Sequence, residues 1–226
     1  RYSSSGGSYS IKVYADAGTL TRVIPSSSHG SRFKIKGVTS WGDLNVTSLL
    51  FQWYEGDTPN MVIPSSIPSS VRSLSDCFRD VRYPSDSRWY SDFRTTNYQV
   101  FDTIANWDVS NVVYMDWMFY GNEYFNTNLD NWNVNNCKDF TLMFEGCEFY
   151  HQPMNSWNIN TSDEVKMHGM FKNAKNFNRN LTSWNMSRVT TMSEMFYGAE
   201  YFNNGYYTSD DNSIALWDVS SCIHFD

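Results

Sequence analysis

Leu181-Thr182-Ser183-Trp184-Asn185-Met186-Ser187-Arg188-Val189-Thr190-Thr191-Met192-Ser193-Glu194-Met195-Phe196 decides how this chain is read, because close copies of it recur. The Trp-centred core of the stretch returns at Trp107, Trp132, Trp157 and Trp217, at steps of 25, 25, 27 and 33 residues. A fixed period in this range predicts supersecondary units that stack on one another, since no single unit can bury its own apolar face.

The columns of the repeat carry the same chemistry each time. Three residues before Trp stand Ile104, Leu129, Met154, Leu181 and Ile214, and two after it Val109, Val134, Ile159, Met186 and Val219. Further on come Met118-Phe119, Met143-Phe144, Met170-Phe171 and Met195-Phe196, and then an aromatic column of Phe125, Tyr150, Phe177 and Phe202. Trp and the residue two later share a side on extended chain, so Trp-x-Val predicts a short strand with its apolar face inward. Val189, Met192, Met195 and Phe196 are spaced by three and four, which predicts one buried stripe of a short helical segment ending near Gly121, Gly146 or Gly198. Each inward Trp or Phe buries ~150–250 Å². The 39 aromatic residues are therefore read as structural before anything else.

The expected fold is a repeat solenoid of leucine-rich-repeat type, with one short parallel strand and one short helical segment per winding. It is expected to run over 33–226 in six to seven windings, with insertions at 79–100 and 204–213. Residues 1–32 hold a Ser/Gly-rich lead-in and the alternating stretches IKVYADAG and LTRVIP, which predict a small β cap. The last winding is partial and is expected to need a cap or a neighbour.

The stretches WDVSNVVYMDWMF, WNMSRVTTMSEMFYGAEYFN and FKIKGVTSWGDL resemble a bacterial surface-protein repeat of about 25 residues, related to the BspA-type leucine-rich repeats. The resemblance covers roughly 33–226. It implies a leucine-rich-repeat-like solenoid of the kind found in bacterial surface lipoproteins, adhesins and phage virion proteins. No enzymatic residues come with it.

Charge and cysteines narrow the function classes. The net charge is −7. Residues 1–100 carry 11 basic and 8 acidic groups, and 101–226 carry 6 and 16. An acidic solenoid is a poor match for phosphate backbones, so no nucleic-acid partner is expected. The asymmetry is compatible with head-to-tail contact between copies, and the preferred, simpler reading is a solvated acidic surface that aids solubility. No apolar run of 18 residues occurs, so no membrane insertion is expected. Cys77, Cys137, Cys147 and Cys222 fall in small apolar columns and read as packed thiols.

Two surfaces are candidates for binding. Asp108, Asn133, Asn158, Asn185 and Asp218 stack in one column, suited to sugar hydroxyls or, more simply, to a self-satisfied ladder facing water. The insertions offer Arg82, Arg88, Trp89, Tyr90 and Arg94, then Tyr206 and Tyr207, with the composition of protein–protein hot spots. None of His29, His151, His168 and His224 is spaced for a catalytic set, and no metal or cofactor is expected. The reading is a non-enzymatic extracellular structural or adhesive module of a surface assembly, with a virion exterior (capsid decoration or tail fibre) placed slightly ahead of a bacterial cell surface. Its partner is expected to be a protein, a copy of itself or a surface glycan.

Overall fold

The computed structural model describes residues 46–49, 63–80, 101–160, 162–205 and 214–225. The expected β cap at 1–32 lies outside the described residues.

Successive repeats pair in parallel, one residue each. The bridges run Ser48 to Ser73, Ser73 to Tyr114, Tyr114 to Asp139 and Asp139 to Lys166. β1 (Val165–Lys166) pairs with β2 (Val189–Thr191), and Thr191 pairs with His224. The pairing column lies seven residues after Trp107, Trp132 and Trp184, not at Trp-x-Val. Trp107 and Val109 are buried together as expected, yet the chain there turns back, with the Val112 N–H donating to the Val109 carbonyl at 2.9 Å.

The expected helical segment is the larger correction. No α-helix occurs among the described residues, only 3-10 turns at Asp102–Asn106 and Ile214–Leu216. The stripe Val112, Met115, Met118 and Phe119 is buried as its spacing requires. Its backbone does something else. The N–H groups of Met115, Trp117, Phe119 and Gly121 donate to the carbonyls of Asp139, Thr141, Met143 and Glu145 in the next winding, at 2.8–2.9 Å. The N–H groups of Met118, Tyr120 and Asn122 donate three residues back, to Met115, Trp117 and Phe119. A helix needs every N–H for the carbonyl four residues back, and here every second one is taken by a neighbour. Two left-handed residues per winding complete the ribbon. The first is Asp76, Trp117, Leu142, Gly169 or Glu194, and the second Asp80, Gly121, Gly146, Asn173 or Gly198. A helix does not continue through such residues. Arg79 and Asp80 belong to this ribbon, so the first insertion starts later than residue 79.

Trp is required where a leucine would only fill space. The indole N–H of Trp132 donates to the Ile104 carbonyl, Trp157 to Leu129, Trp184 to Met154 and Trp217 to Leu181, at 2.8–3.1 Å. Each acceptor lies three residues before the preceding winding's own Trp. Trp107 makes the matching bond to Pro64 at 2.7 Å. Burial of a polar N–H costs little once it is bonded, and each bond fixes one winding against the last.

The phenyl columns form the second spine. Phe78, Phe119, Phe144, Phe171 and Phe196 stack at 5.6–5.8 Å. Phe125, Tyr150, Phe177 and Phe202 stack beside them at 5.6–6.0 Å. Tyr150 stands in a phenyl column, and its hydroxyl is buried with no hydrogen-bond partner. A buried unbonded hydroxyl costs ~1–3 kcal/mol. Tyr150→Phe should therefore raise stability by about 1 kcal/mol, read as a higher midpoint in urea.

The two extra residues behind the 27-residue step leave a local trace. The Asn160 side-chain oxygen accepts the N–H groups of Ser162 and Asp163 at 2.7 and 3.1 Å, and the register shifts between Val165 and Lys166. Cys77, Cys137 and Cys147 are buried and Cys222 is half-buried. Burial pushes the Cys137 and Cys147 thiols well above their ordinary value. A thiol-specific reagent should label Cys222 first in the native protein, and the other three only on unfolding.

Candidate interaction edge

The polar ladder of Asp108, Asn133, Asn158, Asn185 and Asp218 is exposed on successive windings, as its spacing requires. Its oxygens already have a task. Asp108, Asn133, Asn185 and Asp218 each accept the backbone N–H two residues on, at 3.0–3.2 Å. Asn158 instead donates to the Asn135 side chain at 3.4 Å. These are Asx turns, which hold the chain's reversal after Trp. Hydrogen bonds from Ser110 and Ser220 hold the Asp108 and Asp218 carboxyls below the usual carboxylate range. That contribution is present at neutral pH and fades as pH falls through the folded-state values. Arg82, Arg88, Trp89, Tyr90, Arg94, Tyr206 and Tyr207 lie outside the described residues.

The outward side of the ribbon is more varied. The Arg79 guanidinium lies 4.1 Å from the Trp117 ring and 5.0 Å from Tyr120, and it bonds Asp76 at 3.0 Å. Lys172 pairs with Glu194 and lies 5.5 Å from the Tyr197 ring. The Glu145 carboxyl feels the charges of Lys172, Glu194 and Arg79. Burial holds its carboxyl above the ordinary value, Lys172 works against that, and Glu194 adds to it. A raised folded-state value means that stability falls as pH rises through the carboxylate range. Glu145→Gln should then unfold at higher temperature than the parent at neutral pH, and the difference should close in acid.

A third outward feature escaped the sequence reading. Just before the second phenyl column each winding carries a pair: Glu123-Tyr124, Glu148-Phe149, Lys175-Asn176 and Glu200-Tyr201. Backbone bonds hold the pairs in register. The Phe149 N–H donates to the Glu123 carbonyl, Asn176 to Glu148 and Tyr201 to Lys175, at 3.0–3.1 Å. The Tyr124 and Phe149 rings stack at 5.0 Å. Lys175 bonds Glu148 at 2.7 Å, and its ammonium is stabilised by that bond and by the charges of Glu148, Glu200 and Glu123. The signal was legible as E-Y-F-N, E-F-Y-H, K-N-F-N and E-Y-F-N, where the third residue packs in or against the core and the first two are half-buried or exposed.

Residues 90–166 and 158–225 match the family described as Mycoplasma protein of unknown function, DUF285. The chain belongs to that family. The match spans the Trp repeats, in keeping with the resemblance to a bacterial repeat family. No curated protein and no solved structure matches the chain. Among the described residues no group of His, Cys, Asp and Glu side chains is arranged to hold a metal ion, and no helix is long and apolar enough to cross a membrane.

Proposed function

We propose that this chain is a leucine-rich-repeat-like solenoid that works by contact, as a non-enzymatic structural or adhesive module at a bacterial cell surface. The observation that carries the reading is the division of labour within each winding. The Trp, Met and Phe columns are spent on the neighbouring windings, and the Asp/Asn column on its own turns. The columns left to vary from winding to winding face outward, as in repeat proteins whose stacked units present an extended binding surface. Membership of a Mycoplasma family favours a cell surface over a virion exterior. The Asn/Asp ladder is the weaker candidate for a glycan, because four of its five members have an oxygen holding a turn.

Surface exposure is tested on intact cells that make the protein. A membrane-impermeant amine reagent should label it as strongly before lysis as after, through lysines such as Lys166 and Lys175. Labelling that appears only after lysis would remove the surface reading.

A further inference from the structure

We propose that the edge formed by Glu123-Tyr124, Glu148-Phe149 and Glu200-Tyr201 docks an arginine-bearing segment of a protein partner. The proposal rests on the reading of the chain as a surface contact module and names the partner chemistry of one edge. Phe149 is 40% exposed and Tyr201 65% exposed. Phe125 and Tyr150, in the neighbouring column, are sealed. These outer rings therefore do nothing for the core that a polar residue at the same position would not do. Asn176 holds that position in the remaining winding, where its side chain bonds the Glu148 carbonyl at 2.8 Å.

Charge specifies the occupant. Among the described residues, the charges of Glu123, Glu148 and Glu200 converge on the Lys175 ammonium. The edge thus carries an excess of two negative charges beside exposed rings, repeated at the spacing of the windings. A guanidinium answers both features at once. Its plane stacks on an aromatic face or edge, and its paired N–H groups bind a carboxylate two-fold. An ammonium meets the charge alone, because it is compact and strongly hydrated. The Arg79 guanidinium over Trp117 and beside Asp76 shows the same combination made within this chain.

The test uses the full chain and two synthetic decapeptides, one alternating arginine with glycine and the other lysine with glycine, titrated at low salt. The arginine peptide should bind at least about fivefold more tightly, as expected of stacking added to charge. Phe149→Ser with Tyr201→Ser should bring it down to the level of the lysine peptide. Glu123→Gln with Glu200→Gln should weaken it more than Asp108→Asn with Asp218→Asn, which removes the same charge elsewhere. Equal affinity for the two peptides, or a preference for arginine that survives loss of both rings, would overturn the proposal. So would equal effects of the two charge-removing variants, which also decides the matter if the ring variant does not fold. If the peptides fail while intact cells still label, the partner class falls and the surface module stands. Labelling confined to lysed cells takes down the surface reading itself.

Discussion

Trp157→Ala should lower the unfolding free energy by about 3–5 kcal/mol, among the largest effects of any single substitution in the chain. The indole is buried against Phe140 at 5.7 Å and stacked on Trp184 at 6.0 Å, within 6° of parallel. Its N–H donates to the Leu129 carbonyl at 2.8 Å. Alanine removes the stacked area, leaves a cavity between two windings and breaks one of the bonds that tie winding to winding. Trp157→Phe separates these contributions. It keeps most of the apolar area and loses the donor. The Leu129 carbonyl still accepts the Trp132 backbone N–H at 3.0 Å, so no buried acceptor is orphaned. The phenylalanine variant should therefore lose only about 1–2 kcal/mol. Urea unfolding followed by circular dichroism measures both. Equal losses would mean that the hydrogen bond, rather than the packed indole, carries the stability.

Gly205→Ala should cost about 2–4 kcal/mol, while Gly146→Ala should cost about 1–2 kcal/mol. Both glycines are left-handed, with φ of +88° and +72°. The penalty that a side chain incurs there is common to both. Their surroundings differ. A Cβ on Gly205 would sit 2.9 Å from the backbone nitrogen of Asn180 and 3.4 Å from the carbonyl carbon of Arg179. Backbone in the neighbouring winding cannot swing away, so the windings would have to part. A Cβ on Gly146 would meet nothing closer than the Cα of Gly121 at 3.6 Å. Asp80 and Asn173 occupy the same place in other windings, at φ of +51° and +56°, which shows that the column accepts short polar side chains. Thermal melts of the two variants should differ in the stated order, and the reverse order would contradict the packing described for Gly205.

Burial was legible in the sequence and hydrogen bonding was not. The columns of Trp107, of Phe119 and of Phe125 were read as core from spacing alone, and the described members of these columns line the core. Spacing reports which side chains turn inward. It is silent about where an N–H goes. Val112, Met115, Met118 and Phe119 fit a helical stripe equally well whether their N–H groups bond four residues back or alternate between the turn and the next winding. Only left-handed residues distinguish the two, and Trp117, Leu142 and Glu194 give no sign of that conformation in their side chains. The glycines of the same ribbon do give a sign, but one that equally suits helix ends. The indole bonds are silent in the sequence for a related reason: their acceptors are carbonyls 28 to 43 residues away. The apolar residue three before each repeat Trp is visible in the sequence, but its backbone role is not. At the surface, the polar ladder and the insertions are the conspicuous features of the sequence. The acid–aromatic pairs Glu123-Tyr124, Glu148-Phe149 and Glu200-Tyr201 stand beside aromatic neighbours that belong to the core and mask them.

Regular stacking of the repeats is tested most directly by distances between spin labels on the exposed ladder. With Cys222 replaced by Ser, one label is placed at Asp108→Cys and a second in turn at Asn158→Cys, Asn185→Cys and Asp218→Cys. Each added winding should lengthen the separation by about 5 Å, the distance between neighbouring parallel strands, so that the last pair stands about 20 Å apart before allowance for the label arms. Separations that do not grow with the number of intervening windings would contradict the account.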